Sequence, residues 1–73
     1  MPAKYMRVAD AIRDQIRSGD LKPGDKLPST HQLIEQHGVS YSSIRSAMLV
    51  LKAEGLVEGR QGEGVYVVDP KTR

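Results

Sequence analysis

Three consecutive residues, Gly38-Val39-Ser40, place a helix stop, an apolar plug and a helix start between two apolar segments. Glycine enters the left-handed conformation that ends helices, and serine accepts the backbone N–H groups that begin them. The segment therefore reads as one helix, a tight turn and the start of another. Upstream, Pro28-Ser29-Thr30-His31-Gln32 begins a second helix, with Ser29 as cap and Gln32 three residues later completing a capping box. Leu33 and Ile34 face inward from it. Downstream, Ile44, Ala47, Met48 and Leu51 recur at i, i+3, i+4 and i+7, which defines the core face of a third helix. Tyr41, Ser42, Arg45 and Ser46 fall on another side of that helix, near its beginning.

The flanking segments complete the frame. Tyr5, Val8, Ala9, Ile12 and Ile16 have helical spacing, so a first amphipathic helix is predicted from about Ala3 to Ser18, with Gly19 as its stop. Leu21-Lys22-Pro23-Gly24-Asp25 reads as a turn, with Pro23 and Gly24 at its two central positions. Lys26-Leu27 is expected to form a very short strand, and Gly55 to close the third helix. Leu56–Arg60 and Val65–Val68 have strand character, joined by a tight hairpin at Gln61-Gly62-Glu63-Gly64. Pro70 should stop the second strand. A two-stranded hairpin is marginal alone, but beside three helices it becomes a wing. The predicted fold is mainly α with a small β-hairpin: three helices plus a two- or three-stranded antiparallel sheet. Residues 1–69 are expected to form this domain, and residues 70–73 a polar tail or the start of a linker.

Composition narrows the chemistry. A chain of 73 residues holds one small core. With no cysteine there is no disulfide framework and no thiolate metal site. No apolar run approaches the ~20 residues that span a bilayer, so a cytoplasmic location without membrane partners is the default expectation. His31 and His37 lie at the two ends of one helix with no third ligand near them in sequence, whereas zinc needs at least three protein ligands. Neither a metal nor another cofactor is expected. No nucleophile–base–orienter set is visible, and an enzyme is not expected. The formal net charge is only +2, but from Gln36 to Ala53 there is no acidic residue, while Arg45 and Lys52 both lie there. Short hydroxyl donors, one aromatic ring and a fork-shaped cation at a helix start suit a DNA major groove. The alternative is a winged-helix module for protein–protein contact without specific DNA binding, to which an exposed Leu49 would contribute.

The ordered residues carry a family likeness. They are Ile16, Gly19 and Leu21; Pro23-Gly24-Asp25-Lys26-Leu27-Pro28-Ser29; Leu33; Gly38-Val39-Ser40; Ile44-Arg45 and Ala47; Leu51; Glu54-Gly55-Leu56-Val57; Arg60; and Gly62-x-Gly64-x-x-Val67. Over about residues 4 to 68 the chain resembles the N-terminal DNA-binding domain of GntR-type bacterial regulators. The resemblance implies a winged helix-turn-helix, with the recognition helix, about residues 40–54, in the major groove. The wing, about residues 57–68, would lie near the minor groove or the backbone. It further implies a transcription regulator, most often a repressor, acting on double-stranded DNA at a palindromic operator. A homodimer would form on DNA or through a C-terminal effector-binding domain.

By position, the implied DNA contacts are Ser40, Tyr41, Ser42, Ser43 and Arg45, joined by His31 and by Gln61 and Gly62 of the wing. Lys4, Arg7, Lys26, Lys52 and Arg60 are further candidates for contact with the phosphate backbone. Three positions depart from the family's habit. Tyr41 and His31 stand where arginine is common, and Glu63 places a negative charge on the wing. Tyr41 cannot make arginine's bidentate contact with guanine, so a different base preference is expected there.

Overall fold

The computed structural model describes residues 3–68. In chain order it has α1 (Lys4–Ser18), α2 (Thr30–His37), α3 (Tyr41–Ala53), β1 (Val57–Arg60) and β2 (Gly64–Val67). The tail at residues 70–73, and Pro70 as the stop of the last strand, lie outside the described residues. No helix among those described is long and apolar enough to cross a membrane.

The local signals act where the sequence places them. Ser29 Oγ accepts the Gln32 N–H at 3.1 Å, and the Gln32 side-chain oxygen accepts the Ser29 N–H at 2.9 Å. This reciprocal box satisfies two N–H groups at or just before the start of α2 that the helix itself leaves unpaired. Gly38 ends α2 at φ 63° and donates its N–H to the Ile34 carbonyl. At the end of α3 the Leu56 N–H reaches Leu51 O and the Gly55 N–H reaches Lys52 O, both at 3.0 Å, with Gly55 at φ 77°. These are the two bonds of a Schellman motif. They explain why β1 starts at Val57 rather than Leu56: the Leu56 N–H is committed to the helix end.

Replacing Ser29 by alanine is expected to destabilise the domain by about 1 kcal/mol. The check is the urea midpoint followed by circular dichroism, and an unchanged midpoint would mean that the box contributes nothing.

β1 and β2 pair antiparallel, with Val57 opposite Val67 and Arg60 opposite Gly64. The anticipated third strand reduces to a single bridge, Lys26 to Tyr66. The turn before it brings the chain alongside β2: Asp25 N–H donates to Lys22 O at 2.9 Å across Pro23 and Gly24. Leu27 N–H and Val67 N–H then bond Val65 O and Asp25 O, both at 2.8 Å. Pro28 follows at once, lacks an N–H and leads into the Ser29 cap, so the ladder has no room to extend.

One core joins these layers. Val8, Ile12, Ile44 and Leu51 are its largest fully buried side chains. Leu27, Leu33, Val57 and Val67 close it from α2 and the sheet side. α1 packs chiefly on α3. A bidentate pair reinforces that contact: Arg13 Nε and Nη2 donate to the two Glu54 carboxylate oxygens at 2.9 and 2.7 Å. Bonds to Glu54 first, and then to Asp10, raise the Arg13 pKa above its ordinary value. The paired charges tie α1 to the end of α3. With α3 held on its apolar face by α1, α2 and β1, its opposite side and leading turn are left to solvent.

Candidate nucleic-acid interface

The leading turn of α3 is built by Ser40. Its Oγ accepts the Ser43 N–H at 3.3 Å and lies 3.1 Å from Ser42 Oγ and 3.2 Å from Ser43 Oγ. Three hydroxyls thus crowd one helix start, where the helix dipole and unpaired N–H groups favour negative charge. Tyr41 is 57% exposed, a high value for an aromatic side chain in a small domain. Arg45, one turn later, donates from Nη1 to the Tyr41 phenol oxygen at 3.5 Å. Among the described residues its bonded partner is therefore a neutral hydroxyl, not a carboxylate. That bond is long and solvent-exposed, so it costs little to replace with a ligand bond.

Other predicted residues gather around this turn. Lys4 and Arg7 of α1 line a shallow cleft of about 250 Å³ together with His37, Gly38 and Val39. Two cations from the first helix therefore stand beside the turn that feeds α3. A second cleft of similar volume lies where α3 faces the wing, lined by Thr30, Tyr41, Arg45, Leu49, Lys52 and Val65 among others. The sequence-predicted Lys52 belongs here, and so does Leu49.

The wing carries Gln61 and Gly62 at its exposed tip. Glu63 N–H bonds Arg60 O at 3.0 Å, and Gly62, at φ 77°, occupies the position of that turn that only glycine fills without strain. Two lysines brace the wing. A β-carbon on Gly64 would stand 2.8 Å from the Lys26 ε-carbon, and one on Gly59 would stand 3.2 Å from the Lys52 ammonium nitrogen. The glycines let both lysine stems lie against the hairpin while both residues stay exposed.

Two candidates are more encumbered than the sequence implied. His31 Nε2 is 3.1 Å from Glu35 Oε1, so the imidazole is shared with a carboxylate one turn along α2. The Arg60 guanidinium lies 4.2 Å from the Tyr66 ring centroid, and its Nη2 is 3.7 Å from Glu58 Oε1. Stacking on the aromatic face fixes the Arg60 head on the wing while leaving part of it open to solvent. Sequence reasoning missed both pairings, as it missed the Arg13–Glu54 anchor. The His31–Glu35 pair at i,i+4 was the one with a local signal.

The chain's residues 4–67 match the family described as "Bacterial regulatory proteins, gntR family". Among curated proteins, the HTH-type transcriptional regulator LutR of Bacillus subtilis is 56% identical over 52 residues, which is 71% of this chain and 24% of LutR. The mannosyl-D-glycerate transport/metabolism system repressor MngR of Escherichia coli is 42% identical over 67 residues, 92% of this chain and 28% of MngR. The chain thus spans about a quarter of the length of these relatives. Among solved structures, AraR(DBD) in complex with operator ORR3 superposes with a TM-score of 0.89 at 37% identity, covering 93% of this chain and 82% of that one. A putative GntR-family transcriptional regulator gives a TM-score of 0.86 at 45% identity, covering 92% of this chain and 26% of that one.

Proposed function

Because this chain belongs to the gntR family of bacterial regulatory proteins, we propose that it binds double-stranded operator DNA through the leading turn of α3 and regulates transcription, as a repressor. The observation that carries the reading is the free, acid-poor start of α3: exposed Tyr41, and Arg45 engaged only with the Tyr41 hydroxyl among the described residues. Likeness to a domain crystallised with an operator supports it.

In this reading Arg45, Tyr41, Ser42 and Ser43 face base edges and nearby phosphates, while Ser40 caps the helix and adds a hydroxyl. Gln61 and Gly62 bring the wing tip to the minor groove or the backbone. Lys4 and Arg7 meet phosphate on one flank; Lys26, Lys52 and Arg60 do so on the wing side. His31 contributes less than an arginine would, because Glu35 shares it. Residues 1–69 act as one DNA-binding unit, and residues 70–73 as a polar tail or the start of a linker. Two copies occupy a palindrome, in the cytoplasm, where the chromosome is accessible.

The test is selection from a random duplex pool, followed by titration of the selected duplex at several salt concentrations. Affinity is expected to fall by about 0.9 log unit per log unit of salt for each phosphate neutralised. A protein-contact module would bind weakly, select no sequence and show no such slope.

A further inference from the structure

Leu49 is 59% exposed, and it is the most exposed large hydrophobic side chain among the described residues. Its place on α3 is not that of a stray surface leucine. At 3.6 residues per turn, Tyr41, Arg45, Leu49 and Lys52 fall within about 80° of one another around the helix. The stripe rises about 12 Å from Tyr41 to Leu49, comparable to the width of a major groove. All four side chains line the same cleft beside the wing. Leu49 is therefore an apolar group set between two cations, on a helix that carries no acidic residue from Tyr41 to Ala53.

That setting discriminates between occupants. A second copy of this face would bring Arg45 and Lys52 against their own like charges. A polyanion satisfies both cations and still has to offer Leu49 an apolar surface. Within the major groove, the apolar group on base edges is the C5-methyl of thymine.

Resting on the DNA-binding reading above, we propose that Leu49 is a specificity-determining residue that packs against a thymine C5-methyl. The operator then carries a thymine at the base position facing the second and third turns of α3. Arg45 supplies donors to neighbouring acceptors, and Leu49 supplies preference for a methyl over a bare pyrimidine edge. Leu49 is more than half exposed and lies outside the buried core cluster, so binding and folding effects separate.

The experiment uses the full chain and the selected duplex, with each thymine replaced singly by uracil, which removes only the methyl. Binding is read by fluorescence anisotropy. The wild type is expected to lose about fourfold in affinity at one thymine per half-site, the scale of one buried methyl or methylene group. Leu49→Ala is expected to bind the thymine and uracil duplexes equally, with an unchanged salt slope and an unchanged circular dichroism spectrum. Leu49→Gln, which keeps the length but not the apolar character, should behave likewise.

The proposal is overturned if no thymine methyl affects the wild type. It is also overturned if the methyl effect persists in Leu49→Ala; its loss in Tyr41→Ser would then assign the methyl to the aromatic ring. A Leu49→Ala variant that loses self-association in sedimentation while keeping its thymine preference overturns it in favour of a second copy. If the wild type selects no sequence at all, the DNA-binding reading fails and this inference falls with it.

Discussion

Arg45→Ala will weaken binding to the selected duplex by roughly 5- to 150-fold, about 1–3 kcal/mol, the range for one bidentate base contact. The expectation rests on where the guanidinium stands. It projects from the first turns of α3, on the side away from Ile44, Ala47 and Leu51, which are fully buried. Its bonded partner among the described residues is a phenol oxygen at 3.5 Å, so no strong internal ion pair has to break before DNA is engaged. Arg45→Lys then decides what the contact is. Lysine restores the charge but not the planar fork. Recovery of most of the affinity would place Arg45 on phosphate, whereas lost selectivity at one base position would place it on a base edge. Arg17→Ala is the control: that arginine is exposed on α1 and lies 3.8 Å from Asp14. It should change affinity by less than about twofold, because a solvated charge remote from the duplex is screened. Equal losses from Arg45→Ala and Arg17→Ala would reduce the effect to bulk charge.

Leu51→Ala is expected to cost about 2–5 kcal/mol of folding stability, through lost burial and the cavity left behind. Leu51 has no exposed surface and sits at the centre of the core with Ile12 and Ile44. A domain of this size seldom has more than about 3–5 kcal/mol in total, so the variant should be largely unfolded at 25 °C. Urea unfolding followed by circular dichroism measures this. The comparison that gives it force lies two residues away: Leu49→Ala removes the same atoms from an exposed position, and its stability should stay within about 0.5 kcal/mol of wild type. A Leu51→Ala variant that unfolds cooperatively near the wild-type midpoint would mean that the core does not depend on the buried face of α3.

What was legible in the sequence was local. The Ser29–Gln32 box, the Pro23-Gly24 turn and the stops at Gly19, Gly38 and Gly55 each depend on residues a few positions apart, and each stands where expected. The core stripe Ile44, Ala47, Met48 and Leu51 follows from helical period alone, and all four are buried. What was not legible depends on pairs distant in sequence. Arg13 and Glu54 are 41 positions apart, and nothing in either neighbourhood marks them as partners. The lysine stems lying against Gly64 and Gly59 needed the hairpin's position relative to the helices. So did the stacking of Arg60 on Tyr66. Lys26-Leu27 has strand character, but one bridge is all that Pro28 and the Ser29 cap leave it. For the candidate interface, residue types and helical period on α3 were enough to single out Tyr41 and Arg45 and to place them away from the core face, where both are exposed. The joining of Leu49 to the same stripe beside the wing required the packed structure.

The most direct test of the central claim is amide chemical-shift mapping of the full chain titrated with its selected duplex. The largest perturbations are expected at Ser40 to Arg45 and at Gln61 and Gly62, with smaller ones at Lys4 and Arg7. The opposite surface around Arg13, Ile16 and Leu56 should stay nearly silent. Perturbations centred on that opposite surface, with the start of α3 unmoved, would contradict it.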